Sequence, residues 1–400
     1  MNIIIIGAGA SGIVTAINAK NENNRVILLE KNDRIGKKLL ATGNGRCNYT
    51  NMILSEKNYS SPDFVKRTLE EFSNEDLINY FKMLGLESTL DGNRVYPISL
   101  KANSVLNILI YWLEKKGIEV KTKSQVKEIK KIKTGYEVIT NGEIFKADVV
   151  VLAFGGKALP ASGSDGVSFE ILKKMGIRVT DLKPALTQLK LDSKYLKHLS
   201  GTKVIGRARL LRDEKVIEER EGEILFTNYG ISGPPILDMS VNAKEGDIIE
   251  VPLINNLKKD CIDMVYNRYY MFPDFSLEEF LIGLVDKKFI HYIVDSLDMD
   301  KNTAMNMISM GDFEKIIGLL LKSHFKVTGN TGFKNAQVTR GGVSLEEVSP
   351  ENYESKKFKD LYIIGEALDI DGDCGGYNLH FAFGCGYRLG KLLREKNLQK

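Results

Sequence analysis

The chain has 400 residues, of which 43% are hydrophobic and 27% are charged, and its formal net charge is +4. This length and balance predict a globular protein of two or three domains with a large buried core. The small net charge comes without a basic stripe, which disfavours a nucleic-acid partner.

Cysteine usage and hydropathy restrict the compartment and the partners. The chain has four scattered cysteines, with no Cys-x-x-Cys pair and no histidine–cysteine cluster of zinc spacing. They predict neither a disulfide framework nor a metal site, and we expect a reduced, cytoplasmic compartment. No run approaches the ~18 apolar residues that span a bilayer, so no membrane partner is expected. The oligomeric state stays open.

A strand, a glycine-rich turn, a helix and a second strand open the chain. Residues 2–6 form a β-branched run typical of a strand buried on both faces, and residues 13–20 have helical spacing. Between them stands GAGASG, and a second apolar run at residues 26–29 ends at Glu30. An ordinary βαβ unit with a glycine turn would not explain an acid at that place.

Each residue type in this segment has a physical role in binding a dinucleotide. Gly7 permits the turn, Gly9 lets a pyrophosphate approach the backbone, and Gly12 lets helix and strand pack closely. The pyrophosphate would meet the free N–H groups of the helix, and Glu30 would accept hydrogen bonds from a ribose. The predicted contacts are Gly7, Gly9, Ala10, Ser11, Gly12, Glu30 and Lys31.

A polar segment follows Glu30. Residues 31–38 read as a basic loop, and residues 41–51 are so rich in glycine, asparagine and threonine that no regular element is expected. Such a loop is usually ordered by a ligand, although a plain surface loop is the alternative.

Helical and strand patterns then alternate as far as residue 185. Helices are predicted in residues 62–84, as two segments with the second starting at Ser73 or Asn74, and in residues 104–116 and 165–175. Strands are predicted at residues 94–97, 119–121, 126–133, 136–140, 143–146 and 147–154.

The pattern changes between residues 186 and 335. Antiparallel strands of a small barrel or sandwich are predicted at residues 186–191, 203–211, 216–219, 223–227 and 247–253. Residues 257–320 have mostly helical spacing, and strand patterns return at residues 325–328 and 336–339. We therefore expect an α/β domain (residues 1–185 and 336–400) that is interrupted by a β-rich domain (186–254 and 322–335) and a small helical domain (255–321).

The C-terminal region repeats the opening pattern. Residues 361–366 form a buried strand ending in Glu366, residues 369–378 a glycine-rich loop, and residues 379–395 a helix with small residues on one side. A helix N-terminus favours negative charge, and a flavin becomes anionic at N1 and O2 on two-electron reduction. A glycine-rich helix chosen for close packing is the alternative. Together with the first motif, this one predicts FAD as the cofactor.

Several contacts follow from that prediction. Glu366 would accept hydrogen bonds from the ribityl chain, and the N–H groups of Gly376 to Leu379 would face the reduced ring. Val126 would lie near the adenine, and Ala153, Gly155 and Gly156 would lie beside the pyrophosphate crevice.

A family resemblance covers nearly the entire chain. GAGASG with Glu30, GKKLLATGNGRCNYTN, RVYP, VVVLAFGG, GSDG, TRGGV and GEALDIDGDCGGYN resemble the NAD(P)/FAD-dependent oxidoreductases of the aminoacetone oxidase family, also described as bile-acid Δ4,6-reductase flavoproteins. The resemblance implies a Rossmann-like FAD domain of the two-dinucleotide-binding type, with inserted barrel-like and helical domains. Where family members commonly have glutamine after the leucine of GGYNL, this chain has His380.

The same resemblance extends the cofactor site. It implies that the segment from Lys37 to Asn48 runs along the flavin. The further cofactor contacts expected are Lys37, Lys38, Thr42, Gly43, Gly45, Arg46, Cys47, Asn48, Arg340, Gly365, Glu366, Asp371, Gly375, Gly376, Tyr377, Asn378, Leu379 and Ala382.

Three functions fit these patterns. In the first, NAD(P)H reduces FAD, which then reduces an activated C=C bond of a small molecule, or oxygen. Because residues 153–156 lack a third glycine and a distal acid, the nicotinamide would dock transiently. In the second, an amine or amino-ketone reduces FAD directly. The third, a flavin-bearing RNA-modifying or RNA-binding protein, is disfavoured by the missing basic stripe.

Individual catalytic residues do not follow from the sequence. Cys47 and Cys374 are expected to pack in a crowded site, because no short cysteine pair of the disulfide-reductase type is present. Arg46 and Arg340 stand in glycine-flanked loops and are the candidate cations near the flavin, with structural ion pairs as the alternative.

Overall fold

The computed structural model describes residues 1–257 and 260–396. They divide into two compact units, one formed by Met1–Ala185 with the chain from Phe333 onwards, and the other by Leu186–Gly332. Residues 397–400 of the predicted α/β domain lie outside the described residues. Residues 258–259 of the predicted helical domain do so as well.

The elements of the described chain are numbered in chain order. The strands are β1 (Asn2–Ile6), β2 (Arg25–Leu29), β3 (Thr50–Asn51), β4 (Ser88–Asp91), β5 (Arg94–Pro97), β6 (Glu119–Lys121), β7 (Val126–Ile132), β8 (Gly135–Thr140), β9 (Ile144–Ala147), β10 (Val149–Leu152), β11 (Lys183–Ala185), β12 (Leu189–Asp192), β13 (Lys203–Arg212), β14 (Lys215–Thr227), β15 (Gly230–Ser232), β16 (Ile248–Val251), β17 (Ser323–Asn330), β18 (Val338–Arg340) and β19 (Leu361–Ile363).

The α-helices are α1 (Ala10–Ala19), α2 (Lys37–Ala41), α3 (Pro62–Glu71), α4 (Asn74–Leu84), α5 (Ala102–Lys115), α6 (Ser168–Lys174), α7 (Leu196–Leu199), α8 (Pro234–Met239), α9 (Cys261–Met271), α10 (Leu277–Ile282), α11 (Lys287–Ser296), α12 (Met310–Leu321) and α13 (Tyr377–Glu395). Short 3₁₀ helices occupy Thr42–Gly45, Glu56–Asn58, Pro160–Ser162, Met305–Met307, Leu345–Glu347 and Gly365–Ala367.

A five-stranded parallel sheet organises the first unit, in the order β19-β10-β1-β2-β6. Its central strand β1 is built from isoleucines that are buried on both faces. Because β19 pairs with β10, the sheet brings the C-terminal motif beside the N-terminal one. In parallel strands the carboxyl ends meet at one edge, so the turns after β1, β10 and β19 lie close together.

Helices α1 and α13 pack closely because glycines stand where they meet. A Cβ on Gly386 would lie 2.5 Å from Ser11 O, and one on Gly390 would lie 2.6 Å from Asn18 Cβ. Gly386 and Gly390 therefore serve this approach, as the packing alternative supposed. Because Ser11 stands beside Gly386, the start of α1 lies level with the middle of α13.

Three small antiparallel sheets complete the first unit. They are β3-β5-β4, β7-β8-β9 and β11-β18. Ser73 is the N-cap of helix α4, because its hydroxyl accepts a hydrogen bond from Asp76 N–H, so the first of the two predicted cap residues is confirmed.

The second unit contains a closed antiparallel barrel in the order β12-β15-β14-β13-β16-β17. Helices α9 to α12 share one buried cluster with the barrel strands, including Phe226, Phe289 and Phe313. The division of this unit into a β-rich domain and a separate helical domain stays a prediction.

Several local predictions were wrong. Lys37, Lys38 and Ala41 belong to helix α2 instead of a loop, because Leu39 is buried in the core. Residues 42–45 and 50–51, where no regular element was predicted, form a 3₁₀ helix and strand β3. Residues 216–219 and 223–227 belong to the single strand β14, since Gly222 pairs with Gly206 without breaking the ladder. Helix α13 begins at Tyr377, two residues before the predicted start, because Gly376 adopts the left-handed conformation that ends the loop.

Candidate cofactor site

Two helix N-termini open at the carboxyl edge of the parallel sheet. Helix α1 has Gly9 as its N-cap and α13 has Gly376. Glycine caps a helix without a side-chain oxygen, so the first turn keeps room for a partner of another kind. A bound anion is such a partner, and the helix dipole adds to its binding.

The first turn is shaped to hold a group against the backbone. Gly7 has φ +105°, and a Cβ there would lie 2.4 Å from Ala153 O. A Cβ on Gly12 would lie 2.0 Å from Gly7 O, whereas one on Gly9 would meet no described atom within 4 Å. Gly7 and Gly12 are therefore needed for packing, and Gly9 borders open space.

Glu30 holds the segment around this turn. Its Oε2 accepts a hydrogen bond from Ala8 N–H (3.1 Å), and its Oε1 accepts two from Asn32, at 2.8 Å from N and 2.7 Å from Nδ2. The carboxylate is buried, with 8% of the residue exposed. Because a carboxylate offers about four lone-pair positions, one stays available to a ribose hydroxyl.

Neighbouring segments close around residues 30–32. Lys31 Nζ lies 2.6 Å from Asp165 Oδ1, and Asn32 Nδ2 donates to Ser162 O (3.1 Å). Ser124 N–H donates to Glu30 O at 2.8 Å, which brings the start of β7, with Val126, to the same region. Asn32 and the GSDG segment are site neighbours that the predicted residue set did not include.

A second cluster joins residues distant in sequence. Lys38 Nζ lies 2.5 Å from Glu366 Oε2, and Thr339 N–H donates to Glu366 Oε1 (2.9 Å). A Cβ on Gly156 would lie 2.8 Å from the same Oε1. Lys38, Gly156 and Glu366 therefore lie together in the structure.

The segment Thr42–Asn48 follows an unusual backbone path. Gly43, Asn44, Gly45 and Cys47 all have positive φ, between +55° and +80°. Left-handed conformations at non-glycine residues such as Asn44 and Cys47 are uncommon and concentrate at functional sites.

The end of that segment reaches the start of α13. A Cβ on Gly376 would lie 2.6 Å from Thr50 O and 2.8 Å from Asn48 Oδ1. Asn51 Nδ2 donates to Gly375 O at 2.9 Å. The structure thus brings the GNGRCN and CGGYN segments together.

Two buried polar atoms at this edge lack partners. Among the described residues, the buried side-chain atoms without a hydrogen bond are Asn48 Oδ1, Ser164 Oγ and Thr227 Oγ1. Ser164 Oγ lies 3.5 Å from where a Cβ on Gly155 would stand. An unsatisfied buried polar group costs about 1–3 kcal/mol, which a bound polar ligand can recover. With the two helix N-termini and Glu30, these atoms fit FAD.

The two candidate arginines differ in their partners. Arg340 makes a forked ion pair with Asp371, with Nε–Oδ1 and Nη2–Oδ2 both at 3.0 Å, and the Asp371 side chain is 5% exposed. Arg46 lies over the Tyr96 ring, 4.6 Å from its centroid, and reaches Asp91 at 3.3 Å. Arg340 therefore has the structural ion pair that was the alternative.

Two cysteines near the site, Cys47 and Cys385, are buried thiols. Desolvation raises the pKa of Cys47 and of Cys385 to about 12 each, and Cys47 is fully buried. Cys385 Sγ accepts a hydrogen bond from Gly365 N–H at 3.2 Å. The described cysteines form no disulfide.

His380 connects α13 to its neighbours. It is fully buried, its Nε2–H donates to Phe72 O (3.0 Å), and its Nδ1 accepts from the Thr50 hydroxyl (2.9 Å). Burial lowers the pKa of His380 to about 4, so the ring is neutral. The residue that departs from the family pattern is a structural one.

Comparison with known proteins identifies the family. Residues 1–392 match the family model described as HI0933-like protein Rossmann domain. The chain belongs to this family. It is thus a flavoprotein oxidoreductase, and the predicted family membership and enzymatic nature are confirmed.

Two named relatives span the full chain. A Clostridium scindens protein named 3-dehydro-bile acid delta(4,6)-reductase is 34% identical over 403 residues, covering 98% of each chain. The Escherichia coli ribosomal RNA dihydrouridine synthase is 28% identical over 385 residues, covering 95% of this chain and 94% of the relative.

Solved structures agree on the fold. The open form of a flavocytochrome c3 fumarate reductase has a TM-score of 0.50 at 14% identity, covering 99% of this chain and 78% of its own. The 3-ketosteroid delta1-dehydrogenase of Sterolibacterium denitrificans has a TM-score of 0.51 at 12% identity, covering 98% and 99%. They show an α/β fold with a parallel Rossmann sheet and antiparallel additions.

The described residues also bear on membranes and metals. None of the helices described is both long enough and apolar enough to cross a membrane. Among the same residues, no group of histidine, cysteine, aspartate and glutamate side chains could hold a metal ion.

Proposed function

We propose that this flavoprotein binds FAD and uses NAD(P)H to reduce a C=C bond conjugated to a carbonyl group. The observation that carries the cofactor is the pair of glycine-capped helix N-termini, at Gly9 and Gly376, in the first unit. A nicotinamide dinucleotide alone needs one such terminus, whereas FAD uses one for its pyrophosphate and one for its reduced ring.

The substrate class is supported by the names of the relatives. A 3-dehydro-bile acid with 4,6 double bonds is a conjugated dienone, and uridine carries a C5=C6 bond conjugated to its C4 carbonyl. Both named activities therefore saturate a C=C bond activated by a carbonyl. We propose this shared chemistry for the present chain, and the experiment below identifies its substrate.

Residues of the chain would hold the cofactor in the following way. The N–H groups at the start of α1 would bind the pyrophosphate, Glu30 the adenosine ribose, and Glu366 the ribityl hydroxyls. Backbone N–H groups from Gly376 to Leu379 would lie at the pyrimidine end of the ring. Bound FAD supplies reversible two-electron chemistry at this place.

The electron donor would bind transiently. Strand β10 is followed by a loop, and the next α-helix is the seven-residue α6, Ser168–Lys174. A second dinucleotide fold would place a longer helix directly after a glycine turn. The nicotinamide therefore would approach the flavin without a domain of its own.

Anaerobic mixing of the purified holoenzyme tests this function. NADH, NADPH and simple amines are each added alone, and bleaching of the flavin by a nicotinamide is expected. The reduced enzyme is then mixed with a conjugated steroid dienone, with uridine, or with oxygen, and reoxidation by an enone is expected. Bleaching by an amine alone, followed by reoxidation by oxygen only, would favour the amine oxidase instead.

An RNA substrate is the second candidate, because the E. coli relative covers 95% of this chain. Dihydrouridine formed in unmodified ribosomal RNA after incubation with NADPH would establish it. The absence of a nucleic-acid partner, expected from the charge pattern, stays a prediction that the same assay decides.

A further inference from the structure

Reduction of an enone places negative charge on the substrate's carbonyl oxygen, and the position of Arg46 matches that need. Resting on the proposed function, we infer that the Arg46 guanidinium binds this oxygen and that Tyr96 holds Arg46 in position. Arg46 is then a catalytic residue, and Tyr96 a positioning residue.

The chemistry defines what the site must supply. Bound reduced FAD would supply a hydride, with its electron pair, for the substrate's β-carbon, and the C=C π electrons would move toward the carbonyl. The carbonyl oxygen would become an enolate oxygen, and a proton from water would add to the α-carbon. The substrate would gain the two electrons that the cofactor gives up. A preorganised donor at the enolate oxygen lowers the barrier to the hydride step.

Most cations of the predicted site are already neutralised at short range. Lys31 lies 2.6 Å from Asp165, Lys38 lies 2.5 Å from Glu366, and Arg340 lies 3.0 Å from Asp371. Lys37 lies 2.8 Å from Asp33, but the Asp33 side chain is 63% exposed, so water screens that pair. A short contact with a carboxylate offsets the positive charge that a developing anion would feel.

Arg46 is held differently. Its contact with Asp91 is 3.3 Å long, and the Asp91 side chain is 61% exposed, so water screens the pair. Its Nη2 donates to the Tyr96 hydroxyl (3.3 Å), while the guanidinium lies over the Tyr96 ring. Of the five N–H groups of a guanidinium, these contacts use two and leave three. The Arg46 side chain is 39% exposed.

Tyr96 gives that cation a rigid support. Tyr96 is 2% exposed. Its ring lies beside the segment Thr42–Asn48, with Cε1 3.6 Å from where a Cβ on Gly43 would lie. The loop closes on itself, since Arg46 N–H donates to Gly43 O (3.1 Å) and Cys47 N–H donates to Thr42 O (3.0 Å). Two residues further on, Asn48 reaches the N-terminus of α13. Arg46 is thus fixed beside the proposed flavin end without a buried counter-charge.

The test separates the two half-reactions by stopped flow. In Arg46→Gln, oxidation of the reduced flavin by an enone should slow on the order of 10²-fold, while reduction by NAD(P)H changes little. Arg46→Lys should recover part of the loss, because charge returns without the planar fork. Tyr96→Phe keeps the ring and loses one hydrogen bond, so a fall of about 3–10-fold in the enone step alone is expected.

A second measurement needs no turnover. The anion of para-chlorophenol resembles an enolate, and its affinity for the oxidised holoenzyme is measured by titration of the flavin spectrum. Arg46→Gln should weaken it by roughly tenfold or more, the equivalent of one charge-assisted hydrogen bond. The matched control is Arg25→Gln, which removes an exposed arginine paired with Glu119 at 3.0 Å and should change neither measurement.

The outcomes distinguish the inference from the proposed function. A parent enzyme that reduces no enone defeats the proposed function, while the phenolate titration still decides whether Arg46 binds an anionic oxygen. An active parent whose Arg46→Gln variant behaves like Arg25→Gln overturns the inference. An equal loss in both half-reactions also overturns it, because that result would assign Arg46 to cofactor binding or folding.

Discussion

Lys38 Nζ lies 2.5 Å from Glu366 Oε2, joining two residues that are 328 positions apart. The side chains are 24% and 20% exposed, so the pair is largely shielded from water. It connects the start of the segment Lys37–Asn48 to the 3₁₀ turn Gly365–Ala367 after β19. The discontinuous halves of the first unit are thus joined at the candidate site by charge as well as by strand pairing.

The first prediction concerns this pair. Lys38→Met should destabilise the protein by about 1–3 kcal/mol, because it leaves a shielded carboxylate without its cation. The double variant Lys38→Met/Glu366→Gln should be less destabilised than Lys38→Met alone. Urea unfolding of each protein measures these free energies.

The adjacent lysine supplies the control. Lys37 pairs with Asp33, whose side chain is 63% exposed, so Lys37→Met should cost less than about 1 kcal/mol. Equal losses in Lys37→Met and Lys38→Met would show that the Glu366 pair has no special weight.

The second prediction separates binding from packing in the glycine turn. A side chain at Gly9 meets open space, and its φ of −91° suits any residue, so Gly9→Val should fold and lose FAD. A Cβ at Gly12 would lie 2.0 Å from Gly7 O, so Gly12→Val should fail to fold. Circular dichroism reports the fold and flavin absorbance reports the cofactor. Glu30→Ala combined with Gly9→Val should also lack FAD, and stoichiometric FAD in that double variant would refute the proposed site.

Some elements could be predicted because the residues that determine them are neighbours in the sequence. Examples are strand β1, with its run of isoleucines, and helix α4, with its Ser73 cap. Helix α2 was not predicted, because a single buried leucine, Leu39, gives no helical periodicity. Strand β14 was predicted as two strands, because a glycine such as Gly222 normally indicates a break between strands. In the structure Gly222 pairs with Gly206 within the ladder.

Site residues on the two glycine motifs were predictable, but their partners were not. Glu30 and Glu366 each follow a strand that the sequence pattern predicts, so their positions in the fold could be predicted as well. That Lys38 pairs with Glu366, or that Tyr96 supports Arg46, depends on the tertiary arrangement of segments tens to hundreds of residues apart. Tyr96 and Ser164 stand in the RVYP and GSDG motifs of the family resemblance, but neither residue was among the predicted contacts.

The third prediction follows from the buried histidine. The pKa of His380 is lowered from 6.5 to about 4, so between these pH values the unfolded chain binds the proton that the folded protein refuses. Stability therefore falls as the pH drops from about 6.5 towards 4, by up to about 1.4 kcal/mol per pH unit. His380→Gln should remove this part of the slope. Urea unfolding of parent and variant between pH 4 and pH 7 tests it, and parallel pH profiles would contradict the prediction.

The fourth prediction concerns Cys47. Its fully buried thiol has a pKa raised to about 12, so it is protonated at neutral pH and unsuited to disulfide exchange. Cys47→Ser should keep most of the rate of flavin reduction in stopped flow. A charge-transfer band produced by dithiol in the parent and lost in Cys47→Ser would instead establish a redox role.

The last prediction concerns the flavin potential. If the backbone N–H groups of Gly376 to Leu379 carry most of the stabilisation of the reduced ring, removing either arginine removes only about 1 kcal/mol. For a two-electron couple that is roughly 20 mV, so Arg46→Gln and Arg340→Gln should lower the potential by tens of millivolts at most. Spectroelectrochemical titration of both variants against the parent measures the shift.

Because Arg340→Gln also leaves Asp371 as a buried unpaired carboxylate, the double variant Arg340→Gln/Asp371→Asn serves as its control. A potential lowered by well over about 100 mV, many times the value expected for one weak charge interaction, would move the electrostatic role from the helix to that arginine.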